Sequence, residues 1–239
     1  MTPLMLRLGK TIVTNSGYTA PMIPWTPAQL STALWLDAAD ASTITLNGST
    51  VSEWMDKSGN ARHATQATAA NQPTYTLNGL GGKPVLTFDG VNDFLSTPSF
   101  LLGQTAVSVA RRSLTSEPVV EGLASNNRGF WGNAYPAFTA HTNYGVNGSA
   151  LSAAAPNAAV GAAAIVSQTS LLAGATSWRV GFGTPGYAPL KGLIAEIVTT
   201  DTLLSTNDRQ RLEGYLAWKW GLVASLPVGH PYKNSPPTV

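Results

Sequence analysis

The sequence predicts an all-β protein, an antiparallel β-sandwich with one C-terminal helix. Three observations support this prediction. Only 11% of the 239 residues are charged. Turn-forming residues are abundant, with 23 glycines and 16 prolines. Short apolar runs of strand length alternate with these turn residues along most of the chain, which is typical of β-rich domains. All-β sandwiches often reach this length as one unit, so we expect a single main domain.

The first 25 residues are typical of an arm that leads into this domain. Prolines at positions 21, 24 and 27 favour extended backbone. We therefore expect residues 1–25 to form an extended N-terminal arm that docks on its own domain or on another subunit. The opening residues, MTPLMLRLGKTIVTNSG, lack the apolar core of a secretory signal, so we expect a protein made in the cytoplasm.

The strands can be placed in order from Thr26 onward. Thr26 and Pro27 predict one short helical turn, and Asn47-Gly48 predicts a hairpin between two β-prone runs. Further strands are expected in ALWLDA, PTYTLNG, KPVLTFDG, NDFLSTP and TAVSVARRS, the last with the alternation of a half-buried strand. The Ala- and Gly-rich middle predicts strands near VVEGLA, RGFWG, FTAHTNYGV, GAAAIVSQTS and SWRVGFG, joined by long loops.

One helix is expected after the core strand LKGLIAEIVTTDTLL. Ser205 is a favourable N-cap with Asp208 three residues on, and Gly221 can close the C-terminus. We expect Trp220 to pack inward and Trp218 to pack under the chain's tail. The predicted helix places four residues on one face: Leu212, Tyr215, Leu216 and Lys219.

Composition argues against several functions. The chain has no cysteine, which removes disulfides, thiolate catalysis and cysteine-ligated zinc. A net charge of +2 without a run of Lys or Arg argues against nucleic-acid binding. The most apolar stretch is broken by Pro156 and Gly161, so we expect no membrane insertion. His63, His141 and His230 lack the spacing of a catalytic zinc site.

The stretch WMDKSGNARHATQ gathers Asp56, Ser58 and His63, the residue types of a catalytic triad. Triads are usually assembled from separate segments beside an oxyanion hole, and no G-x-S-x-G elbow accompanies Ser58. Asp, Ser, Gly and Asn are also the residues that turns favour. We therefore expect a structural turn.

Two other loops carry candidate ligand sites. FDGVNDF places Asp89, Asn92 and Asp93 at a hairpin tip, where their oxygens could contribute to a calcium site. The interpretation that we favour is a polar turn, with no cofactor bound. SNNRGFWGNAYPAF surrounds Trp131 with polar groups that suit a polar ligand, although its aromatic rings could instead fill a gap beneath the loop. The candidate carbohydrate-binding residues are Asn126, Asn127, Arg128, Trp131, Asn133 and Tyr135.

Two blocks of the sequence resemble one family. ALWLDAAD, VSEWMDKSGNARHATQ and NGLGGKPVLTFDGVNDFL resemble the start of concanavalin A-like (laminin G-like) jelly-roll domains of phage and bacterial surface proteins. GLIAEIVTTDTLLSTNDRQRLEGYLAWKWGL and LPVGHPYK resemble their closing strand and helix. The resemblance implies a jelly roll over residues 26–233, followed by a tail of residues 234–239. It implies no particular activity, because this scaffold hosts lectins, adhesins, hydrolases and structural modules.

The resemblance also bears on hydrolysis. Glucanases of this family carry an E-x-D-x-x-E strand, whereas EIVTTD has Glu196 in the first position and valine in the middle one. Glycoside hydrolysis needs two carboxylates that face a cleft. No paired set stands out among the 12 acidic residues. A glycoside hydrolase or lyase is therefore the third hypothesis.

We expect a non-enzymatic structural protein of a phage virion, made in the host cytoplasm. It would be a capsid decoration or a head- or tail-fibre component exposed on the particle surface. The arm would bury apolar side chains on other virion proteins or identical subunits: Leu4, Leu6, Ile12, Met22 and Ile23. The second hypothesis is an adhesin that binds cell-surface glycans through the loop around Trp131.

Overall fold

The fold is mostly antiparallel β-sheet with one α-helix in the residues that the structure describes. The computed structural model describes residues 12–13, 19–20, 22–101, 103–114, 118–122, 129–130, 143–150, 160–169, 176–182 and 189–239. Among these residues, no helix combines the length and the apolarity that crossing a membrane requires. The sequence-based prediction of an all-β protein with a C-terminal helix is confirmed at this level.

The elements are numbered in chain order. The strands are β1 (Ile12–Val13), β2 (Thr19–Ala20), β3 (Thr32–Asp37), β4 (Ile44–Asn47), β5 (Thr50–Trp54), β6 (Ala64–Thr65), β7 (Thr74–Leu80), β8 (Lys83–Asp89), β9 (Leu95–Phe100), β10 (Thr105–Arg112), β11 (Val120–Gly122), β12 (Gly129–Phe130), β13 (Asn143–Val146), β14 (Ala164–Thr169), β15 (Thr176–Val180) and β16 (Lys191–Thr200). The helix α1 spans Thr206–Trp220, and short 3-10 turns include Pro27–Gln29.

In the described ranges, fourteen strands form one curled sheet, and every pairing between these strands is antiparallel. One half has the order β12-β11-β15-β9-β6-β5, and the other has the order β8-β16-β10-β14-β13. Strand β7 pairs with both β5 and β8 and so joins the halves. Strand β3 pairs with β16 on the same edge as β8, and β4 pairs with β5. The curl lets the two halves face one another.

The first core fills the concave side of this sheet. Trp54 of β5 and Trp178 of β15 come from one half, and Leu36, Ile194 and Ile197 come from the other. All five are 2% exposed or less. Burying a large apolar side chain contributes about 1.5–3 kcal/mol, so these contacts hold the two halves together.

The second core lies on the outer face of the sheet, beneath α1. Val107 and Val109 of β10 and Val198 of β16 pack with Leu212 and Leu216 of the helix. This helix explains a difference from the sequence-based expectation. Strand β10 was expected to be half-buried, but its first six residues are all buried because α1 covers the second face.

The ends of α1 form as the sequence predicts. The Ser205 hydroxyl accepts a hydrogen bond from the Asp208 amide at 3.1 Å, and Gly221 adopts φ 72° to close the helix. Trp220 is fully buried. The Trp218 indole donates to the Tyr232 carbonyl at 2.8 Å, so this ring packs against the tail.

The N-terminal segment is attached to the domain from residue 22 onward. Trp25 is only 3% exposed, and its amide donates to the Pro237 carbonyl at 3.1 Å. The Val239 amide donates to the Ile23 carbonyl at 3.0 Å. The predicted boundary between residues 25 and 26 therefore falls inside a packed segment, and residues 237–239 are held against it. Farther upstream, β1 and β2 pair as a short hairpin.

Gly214→Ala tests how tightly the tail packs on α1. In an exposed helix this change stabilises by about 1 kcal/mol. Here a Cβ at position 214 would lie 2.5 Å from Cβ of Tyr232, so the tail must shift. We expect a net loss of about 1–3 kcal/mol in the free energy of unfolding, measured with urea. Gly229→Ala is the control, because a Cβ added at position 229 would have no atom within 4 Å. A gain in stability at Gly214 would contradict the tight packing.

Candidate functional site

A β-bulge turns Glu196 toward the helix. Strand β16 skips Ala195 in its register with β10, because Ile194 and Glu196 pair with consecutive residues of β10. Ile194 and Ile197 both face the concave core, whereas the Glu196 carboxylate contacts residues of the outer face. Strict alternation from Ile194 would instead direct Glu196 into the concave core. The extra residue therefore decides which layer receives this charge.

Four donors saturate the Glu196 carboxylate. One oxygen accepts from the Trp35 indole at 2.8 Å and from the Tyr215 hydroxyl at 3.3 Å. The other accepts from the Trp220 indole at 2.8 Å and from the Lys219 ammonium at 2.7 Å. Glu196 is fully buried. Three of the four donors belong to α1, so this carboxylate fastens the helix to the sheet.

A second carboxylate shares the same lysine. Asp37 lies directly opposite Glu196 in the β3–β16 register, and Lys219 reaches it at 2.6 Å. Lys57 contacts Asp37 at 2.9 Å and Asp40 at 2.7 Å. We call Asp37, Asp40, Lys57, Glu196 and Lys219 the helix-side charge cluster.

The electrostatics of the cluster follow from its burial. Burial raises the pKa of Glu196, and the Lys219 ammonium opposes part of that rise. Burial, together with the charges of Glu196 and Asp37, raises the pKa of Tyr215 and keeps its phenol protonated as a donor. At the exposed end, the hydrogen bond from Lys57 lowers the pKa of Asp40.

The cluster corrects one sequence-based inference. The sequence shows no paired acids, yet the structure brings Asp37 and Glu196 together because β3 joins β16. Every oxygen of Glu196 is occupied and none is exposed, so a substrate could reach it only by displacing α1. The pair therefore stabilises the interface between helix and sheet. The sequence carries one signal of this cluster, which is Lys219 on the otherwise apolar helix face of Leu212, Tyr215 and Leu216.

The stretch WMDKSGNARHATQ forms a turn around the Asp56 carboxylate. One oxygen accepts from the amides of Trp35 and Ser58, at 3.0 and 2.9 Å. The other accepts from the Ser58 hydroxyl at 2.7 Å and from the Arg62 amide at 3.1 Å. His63 Nδ1 accepts the Asp56 amide at 2.9 Å. The acid, hydroxyl and imidazole are thus engaged in holding this loop against β3, as expected for a turn.

The candidate calcium residues also form a turn. The Asp89 carboxylate accepts the amides of Val91 and Asn92, at 2.7 and 3.3 Å. The Asp93 carboxylate accepts the Asp89 amide at 3.0 Å. Within the described ranges, no three His, Asp or Glu side chains are grouped as metal ligands. This geometry is that of the polar turn, and calcium binding stays a prediction.

Several predicted functional residues lie outside the described part of the chain. They are the candidate carbohydrate site around Trp131, with Asn126, Asn127, Arg128, Asn133 and Tyr135, and the arm residues Leu4 and Leu6. Of the remaining arm residues, Ile12 lies in β1, Met22 is half-buried and Ile23 is 63% exposed.

Comparisons of the chain with protein-family models, with curated proteins and with solved structures find no match.

Lys219→Met tests the helix-side charge cluster. Removing one partner of a buried ion pair leaves uncompensated charge, so we expect a loss of about 3–5 kcal/mol in the free energy of unfolding, measured with urea. Adding Glu196→Gln should recover part of this loss, because the buried carboxylate is then neutral. Lys83→Met is the matched control and should change stability by less than about 0.5 kcal/mol. Equal effects at positions 219 and 83 would contradict the role of the cluster.

Asp93→Asn tests the pH dependence of the turn at residues 89–93. Burial raises the pKa of Asp93 from 3.8 to about 6. An acid whose pKa is raised by folding stabilises the folded state below its unfolded pKa, and this contribution is lost as pH rises through 6. Asparagine does not titrate. We therefore expect the free energy of unfolding of Asp93→Asn to increase relative to that of the unmodified chain between about pH 4 and pH 7. The comparison is made from the urea midpoints of the two proteins. A constant difference would be the contrary result.

Proposed function

We propose that this chain is a non-enzymatic structural protein of a phage particle. A concanavalin A-like jelly-roll domain is displayed on the particle surface, as a capsid decoration or as part of a head or tail fibre. The segment before residue 22 is the attachment arm, and its partners are other virion proteins or identical subunits. The observation that carries this proposal is the way in which residues 22–25 are fixed to the domain.

The attachment point is bonded to the C-terminal residues and contacts a residue that donates to the helix-side charge cluster. Residues 22–25 lie beside residues 237–239, with two backbone hydrogen bonds between them. The Trp25 ring packs edge-on against Tyr215, at 6.0 Å and 73°. Tyr215 in turn donates to Glu196 at 3.3 Å. Trp25 and Tyr215 thus connect residues 22–25 to Glu196 of β16, so the point where the proposed arm joins the domain is fixed to both helix and sheet.

The composition of the arm supports a docking role. Residues 1–21 contain Arg7 and Lys10 but no acidic residue, and they carry the apolar Leu4, Leu6 and Ile12. Burial of such side chains on a partner is favourable at about 25 cal/mol per Å². An arm of this kind supplies the association energy, while the domain supplies the exposed surface.

The spatial arrangement of the two resembling blocks supports the jelly-roll assignment. They lie far apart in the sequence, at about residues 30–100 and 190–233. In the structure β3 and β8 of the first block both pair with β16 of the second. Segments that share a family resemblance thus form one continuous part of the sheet. The adhesin hypothesis, with glycan binding around Trp131, remains the alternative.

Deletion of residues 1–21 tests the attachment role. This cut keeps Trp25 and its contacts, so we expect an unchanged melting temperature. Incorporation into particles should fall at least about tenfold, which corresponds to about 1.4 kcal/mol of lost association energy. Incorporation is measured by mass spectrometry of purified particles, using peptides from the shared domain.

Point variants separate apolar docking from the mere presence of the arm. Leu4→Ser with Leu6→Ser should reproduce the deletion, whereas Thr2→Ser with Thr11→Ser should incorporate like the unmodified chain. Normal incorporation of the deletion variant would overturn the proposed attachment, and so would equal behaviour of the two double variants.

A further inference from the structure

A charged cleft lies on the outer face of the sheet, beyond the end of the core under α1. Leu193 is the residue of β16 at the border of that core, and the cleft begins with the neighbouring Lys191 and Gly192. Its volume is about 370 Å³. The cleft is lined by Thr87, Phe88, Asp89, Arg111, Arg112, Ser113, Gly161, Lys191 and Gly192.

The charged side chains of the cleft come from three adjacent strands. Lys191 of β16 lies opposite Asp89 of β8, and Arg111 of β10 lies opposite Leu193 of β16. Because side chains alternate along a strand, Lys191 and Leu193 share the outer face, and Arg111 joins them there. Arg111 is therefore the diagonal neighbour of Lys191, within reach of one ligand.

Among the described residues, two cations of the cleft have no acidic partner. In the part of the chain that the structure describes, no carboxylate lies at ion-pair distance from Arg111 or Lys191. Asp89 is the acid opposite Lys191, but its carboxylate accepts the amides of its own turn, at Val91 and Asn92. Three cationic side chains thus line the cleft with one carboxylate, whose Oδ1 is bonded within its own turn.

We propose that this cleft binds the carboxylate of an acidic saccharide unit of one or two rings. Arg111 offers a planar fork of donors that matches a carboxylate, and Lys191 adds a point charge beside it. Thr87 lies along the same wall, and its hydroxyl, which is hydrogen-bonded to that of Thr76 at 2.8 Å, keeps a further lone pair for a hydroxyl group of the sugar. The volume lies within the range of small-molecule sites.

The position of the cleft argues for a compact ligand. Peptides commonly bind to sheets by adding a strand to a free edge. The cleft instead lies on the face of β8, β16 and β10, where β16 is paired along both edges and Arg112 of β10 is bonded to Val160 and Gly161. Nucleic acids require a row of cations along their phosphates, and this cleft has two exposed ones. A single oxyanion on a small polar ligand fits both the charge and the shape.

The test is an NMR titration of the full chain with digalacturonate, maltose and sodium sulfate. We expect digalacturonate to shift the amide signals of Gly161 and Gly192, which lie in the cleft, and maltose to leave them unchanged. Arg111→Gln with Lys191→Gln should weaken digalacturonate binding at least about tenfold, because two charge-assisted hydrogen bonds are lost. Lys83→Gln, which removes one positive charge at the other end of β8, should bind like the unmodified chain.

Three outcomes would overturn the proposal. Equal binding of maltose would show that the carboxylate is not recognised. Equal binding of sulfate would show that charge alone is recognised, without the sugar. Binding that survives the double variant but is lost in Trp131→Ala would place the saccharide on the loop around Trp131 instead. Far-UV and near-UV spectra of each variant establish that its fold is retained.

Discussion

The contact of Lys219 with two carboxylates holds the layers of this protein together. One ammonium group, carried by the last turn of the helix, meets Asp37 and Glu196 on neighbouring strands. Burial of these charges is favourable only when each is bonded, and the indoles of Trp35 and Trp220 complete that bonding. Polar contacts therefore fix the position of the helix on the sheet, whereas most of the buried side chains beneath the helix are apolar.

The helix-side charge cluster is also connected to residues 22–25. Trp25 packs on Tyr215, whose hydroxyl joins the helix-side charge cluster. Residues 22–25 consequently pack on the helix, and the helix is bonded to Glu196 of β16. The charged cleft lies on the same outer face, at Lys191, near the start of that strand. The proposed attachment and the proposed ligand site would then use different parts of one outer face.

Sequence patterns could predict the local elements, because their signals are local. Asn47-Gly48 gives its hairpin, and Ser205 with Gly221 gives the ends of the helix. The paired acids could not be predicted, because Asp37 and Glu196 meet only through strand pairing between distant segments. Alternation also assigns Glu196 to the wrong face, since the bulge cannot be seen in the sequence. The cleft could not be predicted for a similar reason, because Arg111 and Lys191 become neighbours only through the pairing of β10 with β16.

The bulge at Ala195 makes the number of residues in β16 as important as their chemical nature. Gain of one residue between positions 192 and 196 would reverse the facing of the residues downstream, sending Ile197 toward the helix and Glu196 among the aromatic rings of the interior. Loss of one residue there would instead remove the bulge and leave both side chains on their present faces. Exchanges of one apolar residue for another on this strand are mild by comparison with such a gain. Over evolutionary time this strand should accept substitutions, and even the loss of its bulge, yet resist insertions.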